Sequence, residues 1–152
     1  MTAHLTAPSV DRLALSATVH CLTGCAIGEI LGLAIASQLG WPDLPSIALA
    51  VVLAFVFGYA LTLRPLFASG VAIGSALRLA FAADTLSITV MEIVDNAIVL
   101  AIPGAMDAGI VDALFWGSLA LALAVAGVVA FPVNRWLIHR GRGHAVLHEH
   151  HH

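Results

Sequence analysis

The chain has 152 residues, of which 61% are hydrophobic and only 10% charged, with a formal net charge of −3 and a mean hydropathy of +1.01. A soluble domain of this size carries about 25% charged residues and about 45–50% apolar ones. The balance excludes a soluble globular enzyme, a nucleic-acid binder with a basic face and a disordered chain, and leaves a polytopic membrane protein whose first partner is the lipid bilayer.

In chain order, residues 1–12 form a short N-terminal segment ending at Arg12. A spanning helix needs ~20 mostly apolar residues. The first candidate runs over 13–39 and contains His20, Cys21, Cys25 and Glu29. Gly40-Trp41-Pro42-Asp43 breaks it from a second, uncharged stretch over 44–63. Pro65 and Ser69-Gly70 follow, and residues 66–78 are expected to form a short surface helix. The third candidate covers 79–102, contains Asp84, Glu92, Asp95 and Asn96, and closes at Pro103-Gly104. The fourth is the uncharged stretch over 113–134. The expected fold is all-α: a transmembrane domain over 13–139 of four helices as two hairpins, then a histidine-rich tail over 140–152.

There is no lysine, and all six arginines (Arg12, Arg64, Arg78, Arg135, Arg140 and Arg142) fall on one side of this four-span arrangement. The connections on the other side carry only Asp43, Asp107 and Asp112. The positive-inside rule therefore predicts cytoplasmic N and C termini, with Trp41 and Trp116 at the outer boundary and Trp136 at the inner one. Leu22-Thr23-Gly24-Cys25 also reads as a lipoprotein cleavage box, but the apolar helix pattern continues from Ala26 to Leu39 where such a protein has a polar tether. An offset of 63 residues lays Gly28-Glu29-Ile30-Leu31 over Met91-Glu92-Ile93-Val94, a weak repeat of the kind found in parallel-repeat transporters.

The polar residues inside the spans follow helical spacing. Cys21, Cys25 and Glu29 lie four apart on one stripe, and Gly24, Gly28 and Gly32 form the stripe beside it. Glycines at this spacing let another backbone approach closely, so that face is expected to be the packed one. In the third span Ser87, Met91 and Asp95 share one stripe, and Thr85, Thr89, Glu92 and Asn96 share its neighbour. At ~1.5 Å per residue, Glu29 and Glu92 fall at nearly the same depth. An ionised carboxylate at mid-bilayer costs at least ~2.5–3.5 kcal/mol. Glu29, Asp84, Glu92 and Asp95 must therefore be protonated, hydrated in a cavity or neutralised by a cation. The structural alternative is neutral acids that hydrogen-bond helices together.

Cys21 and Cys25 stand ~5–6 Å apart at Cβ, beyond the ~3.5–4.5 Å of a disulfide, so they are expected as free thiols or ligands. Together with Met91 and His20 they make a soft donor set suited to copper(I). A hard cation would use Glu29, Glu92, Asp95 and Asn96 instead. The pair also reads as small core hydrophobes. In the tail, His144 and His148 are candidates for metal capture, and the alternative is a solvated tail or part of an affinity tag. No catalytic constellation is present, so no enzyme is expected.

The run from His20 to Glu29, the segments Asp84 to Ile88 and Met91 to Asn96, and the terminal Asn134-Arg135-Trp136-Leu137-Ile138 and Arg140-Gly141-Arg142-Gly143-His144 resemble a group of small bacterial membrane proteins grouped as domain of unknown function 4396. The resemblance covers about residues 15–148. It implies a short four-span inner-membrane protein, some members of which carry copper-related labels, and it transfers no catalytic residue. The expected function is binding or transport of a soft metal ion, copper, by a homo-oligomer. The alternatives are a proton-coupled carrier of another small solute, or a non-transporting subunit that docks a partner through its glycine stripe.

Overall fold

A computed structural model describes residues 9–140. Its four helices are α1 (Val10–Leu39), α2 (Asp43–Ala68), α3 (Ile73–Ala101) and α4 (Ala113–His139). Among the described residues there is no strand. Helices α1, α2 and α4 are each long and apolar enough to cross a membrane by length and composition. His144, His148 and the rest of the tail beyond Arg140 lie outside the described residues.

The helix limits follow local chemistry. Ser9 caps α1 by accepting the Arg12 N–H at 3.2 Å. Gly40 stops α1 in the left-handed region at φ 67°, where the following Trp41 N–H reaches back to the Ala36 carbonyl. The expected surface helix over 66–78 is absent. Its first residues end α2, its last ones begin α3, and a turn centred on Gly70 at φ 80° separates them. Pro65 does not end α2, because near a C-terminus it removes a single N–H and the following turn still closes through Ser69 N–H to the Pro65 carbonyl. The potential lipoprotein box lies within the continuous helix α1, with Cys25 fully buried.

Packing is of the membrane type, small inside and large outside. Ala14, Ala17, Ala54, Ala122, Ala126 and Ala130 are buried, whereas Leu15, Ile93, Leu121 and Val128 face outward. Lipid tails are as apolar as leucine, so close backbone contact rather than hydrophobic transfer drives such packing. It is tightest between α1 and α2. A Cβ on Gly24 would lie 2.6 Å from the Gly58 Cα, one on Gly32 would lie 2.5 Å from the Ala50 Cα, and one on Gly28 would collide with the backbone of Leu53 and Ala54. The three small-residue pairs (Gly24 with Gly58, Gly28 with Ala54, Gly32 with Ala50) step by one helical turn in opposite directions, which defines an antiparallel hairpin. Because α2 covers the glycine stripe, that stripe offers no free surface to a docking partner.

The second hairpin packs so that α1 and α3 lie in the middle, each touching every other helix, while among the described residues the α2 and α4 backbones stay apart. Across the outer seams, Asn134 Nδ2 donates to Thr18 Oγ1 at 2.9 Å and the Tyr59 and Thr85 hydroxyls meet at 2.6 Å. The start of α1 and the end of α4 meet at one end of the bundle through Asp11 and Arg135, 3.0 Å apart. Both side chains are more than half exposed, so this pair adds little stability.

Substitution at the α1–α2 contact tests the packing. Gly28→Ala is expected to lower stability by about 1–3 kcal/mol, read as a fall in the thermal unfolding midpoint in detergent. Gly117→Ala, which adds a methyl to open space, is expected to leave the midpoint unchanged or slightly higher.

Candidate functional site

The α1–α2 register determines what α1 offers to the remaining helices. Cys21, Cys25 and Glu29 lie three residues before the three glycines, about 60° around the helix at 3.6 residues per turn. With the glycines against α2, this stripe turns into the bundle and meets α3. The seam between α1 and α3 then collects the ionisable groups of both helices.

At its arginine end, the half-buried His20 shares a 2.9 Å hydrogen bond between Nε2 and Thr62 Oγ1. The same hydroxyl stands beside Asp84. Asp84 is fully buried, and its Oδ1 accepts from the Cys21 thiol at 3.7 Å. One turn further, Cys25 stands beside Glu92. Glu92 Oε2 also accepts from Asn96 Nδ2 at 3.2 Å, while the same amide donates to the Glu92 carbonyl at 2.8 Å. Beyond that, Glu29 faces both Asp95 and Glu92. The contacts run in one direction along both helices, so α1 and α3 are parallel, and Cys21 meets the residue 63 positions later. That offset is the one at which Gly28-Glu29 overlays Met91-Glu92.

Several of these groups lack partners. With the acids ionised, no donor reaches either Glu29 oxygen, Glu92 Oε1 or Asp95 Oδ1, although Glu29 is 1% exposed and Asp95 2%, whereas a proton on one of these acids can bridge Glu29 to Asp95 or Glu92. Leaving a buried polar group unsatisfied costs about 1–3 kcal/mol, more when charged. Three adjacent carboxyl groups in this state are arranged to accept something: protons shared between facing oxygens, water or a cation.

The soft donor set is brought together only in part. Cys21, Cys25 and Met91 belong to one buried cluster with Ile88, Ala54, Ala126 and Ala130, and both thiols are free. His20 is not with them, because the hairpin register gives it to Thr62. Among the described residues no group of three or more His, Cys, Asp and Glu side chains is arranged to hold a metal ion. The one element of the seam that the sequence reading missed is Thr62, buried between His20 and Asp84. The signal that finds it is the spacing of the small residues. Continuing the Gly28–Ala54 and Gly24–Gly58 steps by one turn puts residue 62 opposite residue 20.

Burial of the thiols has a direct consequence. Both cysteines are expected to resist a bulky water-soluble maleimide in the folded protein and to react fully after denaturation in SDS, counted by intact mass. Labelling of either thiol in the folded state would contradict the seam.

No curated protein and no solved structure matches the chain. A family model described as "Domain of unknown function (DUF4396)" matches residues 12–143, which is most of the chain and includes the whole α1–α3 seam. The chain therefore belongs to the DUF4396 family.

Proposed function

We propose that this protein is a small multi-pass membrane protein of the bacterial inner membrane that passes protons along the α1–α3 seam, coupled to movement of a small solute or cation. In this reading all four helices span, as two hairpins, with both termini cytoplasmic. The placement of every described arginine toward one end supports that orientation, and so does the meeting of Asp11 and Arg135 there. Helix α3 carries three carboxylates, yet Asp84, Glu92 and Asp95 all turn to its buried face, and its 29 residues are enough to cross a bilayer.

The observation that carries the reading is the row of unpartnered carboxyl oxygens on Glu29, Glu92 and Asp95. Intramembrane ionisable side chains are rare and costly, and chains of them mark proton relays. Here His20, Thr62 and Asp84 at the arginine end and Glu92, Glu29 and Asp95 beyond them can each give or take a proton, while Cys21 and Cys25 pack between the two sets without carrying protons. Glu29 and Glu92 are the groups through which protons pass, Asp95 shares their proton, and Asn96 orients Glu92. His20 and Asp84 serve the arginine end.

A second reading is favoured by one observation, the gathering of Cys21, Cys25 and Met91 in a single buried cluster. Two thiols and a thioether suit copper(I) as cargo, with the nearby carboxylates balancing its charge.

Reconstitution into vesicles with an internal pH dye distinguishes the two. The proton reading predicts that Glu29→Gln and Glu92→Gln each reduce proton flux at least about tenfold, while Cys21→Ala/Cys25→Ala retains it. Unchanged flux in the glutamine variants would overturn the reading. The copper reading predicts that anaerobically purified protein carries copper and that the double alanine variant carries none; equal metal content would overturn it.

A further inference from the structure

At the arginine-free end of the bundle the two interhelical connections enclose a cavity of about 200 Å³. Its wall includes Leu33 and Ser37 of α1, Trp41 and Asp43 of the first connection and the start of α2, and Met106 and Asp107 of the second connection. Three features distinguish it from the apolar grooves that the described residues form on the flanks of the bundle, such as the one at Leu86, Val90 and Trp136.

The first feature is position. Leu33 and Ser37 continue the stripe of Cys21, Cys25 and Glu29 at the same four-residue spacing. Leu33 on the cavity wall is thus four residues, about 6 Å of helix rise, from Glu29. The second is charge. Asp43 and Asp107 are exposed at the mouth, and the nearest described arginines in sequence, Arg12, Arg64, Arg78 and Arg135, belong to the opposite end of their helices. A cleft lined by one sign of charge and walled by low-dielectric material concentrates counter-ions. The third is the next group along α1, outside the cavity's own lining: Glu29, buried to 1% and with no donor at either oxygen when the acids around it are ionised.

We propose that this cavity is a cation-selective vestibule through which a small hydrated inorganic cation or a hydrated proton reaches the Glu29–Asp95 end of the seam. Asp43 and Asp107 attract the cation, Ser37 lines its path, and Leu33 is the apolar barrier between the vestibule and Glu29. The selectivity stands on the cavity alone; its role as an entrance rests on the proton reading above.

Charged thiol reagents probe the vestibule independently of transport. Ser37 is exposed, so Ser37→Cys places a reporter on the wall, and the chain without this substitution is the blank for the two buried native thiols. A cationic and an anionic methanethiosulfonate reagent are compared, each normalised to its rate with a free thiol in solution. The cationic reagent is expected to react at least about fivefold faster in dilute buffer, with the preference lost in Asp43→Asn/Asp107→Asn. It should also fade in 1 M salt, where the screening length falls to about 3 Å; this arm uses the Ser37→Cys chain alone and does not depend on folding of the asparagine variant. No reaction at position 37, equal normalised rates, or a preference that survives both neutralisation and salt would overturn the proposal. A cationic preference with unchanged proton flux in Glu29→Gln leaves the vestibule standing and removes the proton reading. Absence of the preference with flux abolished in Glu29→Gln does the reverse.

Discussion

The close approach of the α1 and α2 backbones is the contact on which the rest of the molecule depends. It needs glycine at 24, 28 and 32, because a Cβ at any of them meets the main chain of α2. No hydrophobic transfer energy is available between helices surrounded by lipid, so many short dispersion contacts must hold the pair together. The same contact fixes which way α1 is turned. Its polar stripe, about 60° away from the glycines, is directed at α3, and His20 is set against Thr62. Packing thus creates the ionisable seam.

The seam reverses the usual distribution of polarity in a folded chain. Apolar side chains of useful size, such as Leu121, Val128 and Ile93, face outward, while Glu29, Asp84, Glu92 and Asp95 occupy the centre. Each acid stands near a group from the facing helix: Asp84 with Cys21, Glu92 with Cys25, Asp95 with Glu29. Pairing of this kind allows a proton to be held between two groups rather than on one, which avoids a bare charge in low dielectric. The oxygens left without partners on Glu29, Glu92 and Asp95 lie toward the arginine-free end, below Leu33 and the cavity at the mouth.

Much of this is legible in the chain. The matched depth of Glu29 and Glu92 follows from break positions and rise per residue, and the structure places the two side by side. The helices run longer than the apolar stretches, since the hydrocarbon sets only a minimum length; α4 continues through Pro132 to His139. Over residues 66–78 the proline misleads, because the left-handed glycine at 70, not Pro65, marks the end of α2. Residue type alone groups His20 with the sulfur ligands, whereas its neighbour is decided by register, which composition does not encode. Thr62 carries no charge to draw notice. Its importance appears only when the Ala50, Ala54 and Gly58 steps of α2 are laid against the glycines of α1.

The central claim is that Glu29 and Asp95 handle one shared proton across the seam, and a double-mutant cycle on proton flux in vesicles tests it most directly. Glu29→Gln, Asp95→Asn and the combined variant are compared with the unaltered chain. Groups acting as one unit give a combined loss no larger than that of the more severe single variant, and the account predicts that outcome. Losses that multiply, or flux in the unaltered chain no higher than in protein-free vesicles, would contradict it.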